Sequence, residues 1–406
     1  MTAPVASSFG PDYRAWQRGR VTVNDRDYHV ATKPGLFAHG RDDPATEMLA
    51  RAMTDVAGGV VISMPCGSGL VGAVAASSGA QNVWMTDRSG IAIAASQRTL
   101  AANAAGGAEV RMGHGTWSLP SHVVADVVAI RVVPERIPML LLLHDALRVL
   151  RPGGRCYLAG GNHEGAKSAA RLLERLFGNA KTLAQHRSHR VVLATRLPQV
   201  PDVPSDLVTR FTDPHVFHET PLVLRGESLT LFTRPGVFSW EHLDEATNVL
   251  AGLLDVAPGE RVLDIGCGAG ALGVVAARQS QTGAVRLVDV DSEAVRCAER
   301  TLQSAGVVNA RALVSDVALA VLNERFDVVV ANPPFHVGKN VDLDVPRQFI
   351  RDAYDVLDMG GRLLLVANRT LPYEAMLSAQ FGAYRTVFDG RRFKVLTAVR
   401  VQAKFR

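Results

Sequence analysis

Short apolar runs alternate with amphipathic segments along the second half of the chain. Residues 261–265, 285–290 and 327–331 are apolar runs with the length of buried strands. Residues 271–278 have helical spacing after a glycine-rich turn, and a further helix is predicted after Asp291, whose side chain suits an N-cap. Strands that alternate with helices in this way predict an α/β fold with a mostly parallel, doubly wound sheet.

The pattern changes towards the C-terminus. A helix is predicted at 345–357 and a strand at 362–366. Residues 385–388 and 393–401 then flank Asp389-Gly390, a dipeptide typical of a tight hairpin turn. We therefore expect the parallel sheet to end in an antiparallel hairpin.

The chain contains two copies of this pattern. Gly153-Gly154-Arg155 matches Gly360-Gly361-Arg362 at an offset of 207. A repeat of this length is a whole domain copied in tandem. The earlier matches, all at an offset of 201, are Lys33-Pro34-Gly35-Leu36-Phe37 with Arg234-Pro235-Gly236-Val237-Phe238 and Cys66-Gly67-Ser68-Gly69 with Cys267-Gly268-Ala269-Gly270.

A proline-rich stretch separates the copies. Three prolines between positions 198 and 204 favour an extended linker. Each copy then opens with a predicted hairpin, which turns at Asn24-Asp25 in the first and at Arg225-Gly226 in the second. We predict a first domain at 1–197, a linker at 198–220 and a second domain at 221–406.

Composition adds little to this picture. With 406 residues and 47% hydrophobic content, the chain has material for two cores. No run approaches the ~18 apolar residues of a membrane helix, and the N-terminus lacks a secretory apolar core, so we expect a cytoplasmic protein without membrane contact. The net charge of +5 is compatible with a nucleic-acid partner without requiring one. Four cysteines without a CxxC pair argue against a metal.

The glycine-rich turn of the second copy is a predicted cofactor site. Gly266, Gly268 and Gly270 follow a strand, where they let the backbone approach a ligand. Alone, this turn fits a dinucleotide site or tight helix packing equally well. Asp289 ends the next strand, where it suits ribose hydroxyls, and Asp316 follows the third, where it suits an adenine amino group. Helix capping or solvent exposure is the alternative for both carboxylates.

Asp264, directly before the glycines, distinguishes between cofactors. A carboxylate there would repel a pyrophosphate but suits a ligand with positive charge. The set resembles the class I S-adenosylmethionine (SAM) methyltransferases, whose cofactor carries a sulfonium and an ammonium.

The segment Asn332-Pro333-Pro334-Phe335 is a more specific motif. Prolines cannot extend a central strand, so the segment must leave the sheet beside the predicted cofactor. The Asn332 side-chain oxygen and the Pro333 carbonyl could accept the two N–H bonds of an aromatic amine, which would localise its lone pair. Phe335 could stack on the ring, a contact worth roughly 1–3 kcal/mol. The alternative is a proline-rich turn with a buried Phe.

With these motifs, residues 20–402 resemble the tandem-domain bacterial ribosomal-RNA guanine-N2 methyltransferases. The resemblance implies two Rossmann-like class I methyltransferase domains, SAM as cofactor, and ribosomal RNA or a ribosomal subunit as the partner of a monomer. It also implies that Phe238 and Ser239 border the methionine end of the cofactor, and that the first copy binds none.

The first copy lacks several of these residues. Ser63 stands at the position of Asp264, Pro65 at that of Gly266, and Arg131-Val132-Val133-Pro134 at that of the Asn332 motif, whereas Asp87 is kept opposite Asp289. We therefore expect a non-catalytic first domain that serves as a scaffold or RNA platform. Two alternatives stay open, namely methylation of adenine N6 in RNA or DNA, and a non-catalytic ribosome-assembly factor.

Overall fold

The computed structural model describes residues 12–334 and 343–401, and each copy forms one α/β domain. Elements of the first copy are β1 (Gln17–Val23), β2 (Arg26–Thr32), α1 (Pro44–Ala52), β3 (Val60–Met64), α2 (Leu70–Ser77), β4 (Asn82–Asp87), α3 (Gly90–Ala102), β5 (Ala108–Met112), β6 (Ala125–Arg131), α4 (Arg136–Val149), β7 (Leu150–Gly161), α5 (Ala166–Phe177), β8 (Lys181–His186) and β9 (His189–Thr195).

The second copy repeats this order of elements. It consists of β10 (His218–Leu224), β11 (Glu227–Thr233), α6 (Glu245–Leu253), β12 (Val262–Ile265), α7 (Ala271–Ser280), β13 (Val285–Asp289), α8 (Ser292–Ser304), β14 (Ala310–Val314), β15 (Phe326–Ala331), α9 (Asp344–Val356), β16 (Leu357–Asn368), α10 (Tyr373–Phe381), β17 (Arg385–Asp389) and β18 (Phe393–Val399). Helix α10 was not predicted by the apolar pattern.

The two seven-stranded sheets have the same strand order. They run β5-β4-β3-β6-β7-β9-β8 and β14-β13-β12-β15-β16-β18-β17. Five strands of each are parallel, and the last two form the antiparallel hairpin at the edge. Helices α6–α8 cover one face of the second sheet, and α9 and α10 cover the other. The predicted fold class is therefore confirmed.

This strand order places the two predicted halves of the site next to each other. The chain runs from β12 outward to β14 and then crosses back to β15 on the other side of β12. Ligands of such sheets bind outside the carboxyl ends of the strands, at the point where the order reverses. Ile265 and Ala331, the last residues of β12 and β15, are paired in register, so the glycine turn and Asn332 leave the sheet side by side.

Both opening hairpins have the predicted turns. Asn24 and Asp25 have φ values of 47° and 62°, and Arg225 and Gly226 have values of 51° and 81°, as a two-residue turn of the right twist requires. The predicted linker 198–220 overlaps β10. It is also anchored to the protein, because the buried Leu207 packs into the core of the first copy.

The copies meet through a pseudo-twofold interface. Gly90 N donates to Val290 O (2.8 Å), and Ser292 N donates to Arg88 O (2.9 Å), which is the same contact with the copies exchanged. The isolated bridge between Ser89 and Asp291 lies on this axis. A self-complementary interface of this kind is typical of symmetric dimers, and here it is built within one chain.

The copies differ most after the Asn332 position. Their offset is 201 at Arg131 and Asn332 but 207 at Leu150 and Leu357. Because α4 and α9 differ by one residue in length, the additional residues of the second copy lie between Asn332 and α9. The insertion therefore follows the predicted catalytic motif directly.

Candidate active site

The glycine turn after β12 has the backbone that a cofactor cradle needs. Gly266, Gly268 and Gly270 have φ values of 76°, 52° and 86°, which side chains rarely adopt. A Cβ at Gly270 would lie 3.1 Å from the Cα of Ala298 in α8, so this glycine permits close helix packing. A Cβ at Gly268 would meet nothing within 4 Å, so this glycine faces open space.

Asp264 is a buried carboxylate without a partner. It is fully buried in β12, and no described residue is within hydrogen-bonding geometry of either carboxylate oxygen. Burial and, less strongly, the nearby Asp289 carboxylate raise the pKa of Asp264 to about 8, and the backbone N–H of Gly273 in α7 opposes them by a smaller amount. An orphaned buried carboxylate beside a glycine cradle fits a ligand that brings a positive charge.

Asp289 fixes the cradle from the next strand. One carboxylate oxygen accepts from Gly268 N (2.9 Å) and the other from Asp291 N (3.0 Å). Burial, followed by the Asp291 carboxylate, raises its pKa to about 6. Each oxygen keeps a further lone pair for a ligand, so the role in turn geometry and the predicted ribose contact are compatible.

Asp316 contacts the first domain. Tyr13 Oη donates to Asp316 Oδ1 (2.8 Å), and Lys33 Nζ forms an ion pair with Oδ2. Sequence reasoning placed this carboxylate at an adenine amino group but gave no sign of these partners, which are 303 and 283 positions away.

Asn332 has a fixed orientation. Its Nδ2 donates to Asp244 Oδ2 (3.0 Å) and to Thr247 Oγ1 (2.9 Å). Because a carboxylate only accepts hydrogen bonds, the atom beside Asp244 must be the nitrogen of the amide. The side-chain oxygen of Asn332 therefore points away from this pair, and no described residue donates to it.

Asp244 and Thr247 are candidate site residues that the sequence analysis missed. Asp244 caps α6 by accepting from Thr247 N (2.9 Å), so both side chains sit at the helix start that faces Asn332. The repeat could have indicated them, because Asp43 and Thr46 occupy the same positions in the first copy and form the same helix cap.

A narrow cleft joins several predicted site residues. Its lining includes Phe238, Ser239, Gly266, Gly268 and Asn332. It encloses only about 60 Å³, and Asp264, Gly270, Asp289 and Asp316 are not in its lining. A nucleoside-sized cofactor would therefore extend beyond this cleft towards Asp289.

The remaining motif residues flank Asn332. Pro333 is buried and Pro334 is exposed, so the segment turns away from the sheet as predicted. Phe335 lies outside the described residues. Phe238, in the neighbouring loop, is 66% exposed, which leaves its ring available to a ligand.

The corresponding position in the first copy is filled by an ion pair. Arg131 replaces Asn332, and its guanidinium binds both the helix cap Asp43 (3.0 Å) and Glu164 (2.8 Å). The space that would receive an acceptor amine next to Asn332 is thus taken by a buried guanidinium. Ser63 provides no carboxylate at the position of Asp264.

A separate cavity of about 190 Å³ lies at the sheet edge of the first copy. Pro65, Asp87 and His114 line it, together with Gly236 of the second copy. His114 stands where the second copy has Asp316, and burial, followed by Arg88 and two further arginines, lowers its pKa to about 3. At the position of Asp316 the first copy therefore presents a neutral imidazole, while Asp87 remains in the lining of the cavity.

The described residues contain neither a candidate membrane span nor a candidate metal cluster. No helix there is both long and apolar enough to cross a membrane. Within residues 12–334 and 343–401, no group of three or more His, Cys, Asp or Glu side chains is arranged to hold a metal.

Comparison with known proteins identifies the family. The family model described as methyltransferase small domain matches residues 27–193 and again residues 228–397, so each copy matches it separately. The chain belongs to this family. The resemblance predicted from the sequence is confirmed.

Curated relatives of this methyltransferase narrow the comparison. The ribosomal RNA small subunit methyltransferase C of Hahella chejuensis is 35% identical over 283 residues, which cover 70% of this chain and 80% of that protein. The protein of the same name from Psychromonas ingrahamii is 30% identical over 289 residues, with 70% and 79% covered.

A solved structure is similar over both copies. It is the T. thermophilus 16S rRNA N2 G1207 methyltransferase in complex with AdoMet and guanosine. The TM-score is 0.78 at 28% identity, and the match covers 95% of this chain and 98% of that one. The tandem arrangement is therefore shared between the two proteins.

Proposed function

We propose that this chain transfers the methyl group of SAM to the exocyclic N2 amine of a guanine in 16S ribosomal RNA. The observation that carries the proposal is the fixed carboxamide of Asn332, whose oxygen accepts no hydrogen bond from the described residues and is directed to suit an amine. The named relatives and the T. thermophilus structure support the choice of guanine and of the small ribosomal subunit.

The protein has to position the acceptor amine in line with the methyl group of SAM. The lone pair of an aromatic amine is delocalised into the ring, so the amine is a weak nucleophile. A hydrogen bond from that amine to Asn332 Oδ1, and a second to the Pro333 carbonyl, hold the nitrogen with its lone pair directed at the methyl group. Positioning of two reactants in line is worth about 7–11 kcal/mol of barrier. Stacking of the Phe335 ring on the guanine is the third predicted contact with the acceptor base.

The described residues fit SAM. When bound, SAM supplies a methyl group already activated on a sulfonium. The orphaned Asp264 would hold its positive charge, and the open face of Gly268 leaves room for its backbone contact. Asp289 would hold the ribose hydroxyls and Asp316 the adenine amino group. Phe238 and Ser239 would border the methionine end, because they line the same cleft as Asn332.

We further propose a division of labour between domains 1–197 and 221–406, joined by the linker 198–220. The second domain is catalytic, and the first is a scaffold and RNA platform that binds no SAM. The Arg131 ion pair at the acceptor position and the absence of a carboxylate at Ser63 support this division. Calorimetry with saturating SAM should give one bound equivalent per chain, and two equivalents would overturn the division.

The RNA platform has a specific candidate surface. Three cations, Lys167, Arg171 and Arg190, and one carboxylate, Glu174, line a groove of about 400 Å³ between α5 and the β8–β9 hairpin. In the second copy the cation of this region, Lys394, is paired with Glu374, which occupies the position of Lys167. The first copy thus carries a lysine where its twin carries a neutralising glutamate. A cluster of cations of this kind suits RNA phosphates.

We expect the protein to act as a monomer in the cytoplasm, with ribosomal subunits as its partners. The pseudo-twofold interface is already closed within one chain, so no second copy is needed to satisfy it.

Labelled SAM and purified small subunits that lack the modification would test the function. Transfer should yield N2-methylguanosine on nucleoside mass spectrometry, and the position matching G1207 is the first to examine. The Asn332→Ala variant is the matched control and should give no product. N6-methyladenosine as the product would favour the adenine alternative, and absence of any labelled nucleoside would leave an RNA-binding assembly factor.

A further inference from the structure

The first domain reaches into the predicted adenine end of the second domain's cofactor site. Lys33 is 2% exposed, and its ammonium lies 4.0 Å from the centre of the Tyr13 ring while it pairs with Asp316. Tyr13 itself donates to the other oxygen of Asp316 at 2.8 Å. Both oxygens of this carboxylate are therefore held by residues from outside the catalytic domain.

Gly35, two residues after Lys33, is part of the same contact. A Cβ at Gly35 would lie 3.9 Å from a methyl group of Val345 in α9, so the loop packs against the helix that follows the Asn332 motif. Residues 33–35 thus form a wall at the carboxyl edge of the second sheet, next to Asp316.

The reverse contact across the pseudo-twofold axis is different. Arg234 corresponds to Lys33, and it is also buried, but its guanidinium binds backbone carbonyls such as that of Phe211 (2.7 Å) and lies over the Trp117 ring. Its target position holds His114, which cannot form an ion pair with a cation. Lys33 therefore pairs with a carboxylate of the other copy, whereas the carboxylate that Arg234 pairs with, Glu293 (3.4 Å), belongs to its own copy.

We propose that the cofactor site is composite, with Lys33 and Tyr13 of the first domain as positioning residues for Asp316. This inference rests on the proposed SAM-dependent function. Each contact uses one lone pair on each carboxylate oxygen, so lone pairs remain for the adenine amino group. The ion pair and the hydrogen bond select one rotamer of Asp316, and adenine then binds without the cost of ordering that side chain.

Two ligands allow the adenine end and the amino-acid end of the site to be tested separately. SAM has both an adenine and an ammonium, whereas 5′-methylthioadenosine has the adenine but no amino-acid tail. Isothermal titration calorimetry on the full chain should show that Lys33→Met weakens both ligands about tenfold, which is roughly 1.4 kcal/mol. Tyr13→Phe, which keeps the ring, should weaken both by a smaller factor. Asp264→Asn should weaken SAM but leave 5′-methylthioadenosine unchanged.

Arg14→Met is the matched control for damage to the interface. Arg14 also forms an ion pair with the second domain, at Asp352 (2.5 Å), but it does not touch Asp316. This variant should bind 5′-methylthioadenosine like the wild type. If Lys33→Met is destabilised in thermal unfolding, Tyr13→Phe decides the question.

The outcomes separate this inference from the function on which it rests. Wild-type affinity for both ligands in Lys33→Met and Tyr13→Phe would overturn the composite site while leaving SAM binding intact. Equal weakening by Arg14→Met would also overturn it, since the effect would then be a loose interface. A wild-type protein that binds neither ligand would instead refute the proposed function.

Discussion

The unpartnered carboxyl of Asp264 makes a prediction that needs no RNA substrate. Replacing Asp264 by Asn keeps the shape of the side chain and removes its titration. Because the folded protein raises the pKa of this carboxyl from 3.8 to about 8, the ionised form is destabilised by folding. We therefore expect Asp264→Asn to be more stable than the wild type at neutral pH when no ligand is present.

The sign and size follow from proton linkage. Between pH 4 and 8 the folded wild type retains a proton on Asp264 that the unfolded chain has lost, so its free energy of unfolding declines as pH rises. The slope from this one group is up to about 1.4 kcal/mol per pH unit. The advantage of Asp264→Asn should thus grow by roughly 3 kcal/mol between pH 5 and 7.

Urea unfolding of both proteins at pH 5, 6 and 7 measures this difference, because all other titrations are common to the two. Parallel pH profiles would refute the reasoning, since Asp264 would then have a partner or an ordinary pKa.

Ionisation of Asp264, which lowers the stability of the free protein, should raise its affinity for SAM. Over this range an α-ammonium keeps its proton, so wild-type affinity should rise relative to Asp264→Asn by up to about tenfold per pH unit as Asp264 ionises.

Three further predictions concern catalysis and RNA binding. Asn332→Ala should abolish methyl transfer while leaving the calorimetric SAM affinity within about twofold, because the carboxamide faces the acceptor. Asp244→Ala should lower kcat about tenfold to 100-fold with little change in SAM affinity, since the Asn332 amide loses a fixing acceptor; an unchanged kcat would show that the amide needs no such support. The double variant Lys167→Glu, Arg171→Glu should bind RNA more weakly than the wild type. Filter binding between 50 and 200 mM salt should also give a shallower slope of log affinity against log salt, by the amount that the loss of about two phosphate contacts causes.

The fold was predictable because local patterns and the repeat agreed. Apolar runs gave β12, β13 and β15, and the predicted α9 differs from the structure by one residue at each end. The motifs repeated in the first copy then supported the same fold for both halves of the chain. Helix α10 escaped prediction because residues 373–381 mix polar, aromatic and apolar side chains without one consistent apolar face.

The candidate site was predictable only where the motif is local. The glycine turn and Asn332 lie next to each other because β12 and β15 are paired, which follows from the topology that the alternation predicts. The partners of Asn332 and Asp316 could not be inferred in this way. Asp244 is 88 positions from Asn332, and Lys33 is 283 positions from Asp316, so only tertiary packing joins them.

The pseudo-twofold interface gives the proposed non-catalytic copy a place at the other copy's site. In a symmetric pair, each loop of the Lys33 type contacts the other copy's sheet edge, so each copy contributes to its neighbour's site. In the first copy Arg131 occupies the position of Asn332, and His114 stands at the position of Asp316. The loop that the first copy contributes to the second has Lys33, which pairs with Asp316. On the proposed division of labour, the first domain thus contributes Lys33 to its partner's site, whereas at its own sheet edge Asp87 is kept but positions 63, 114 and 131 differ from the second copy.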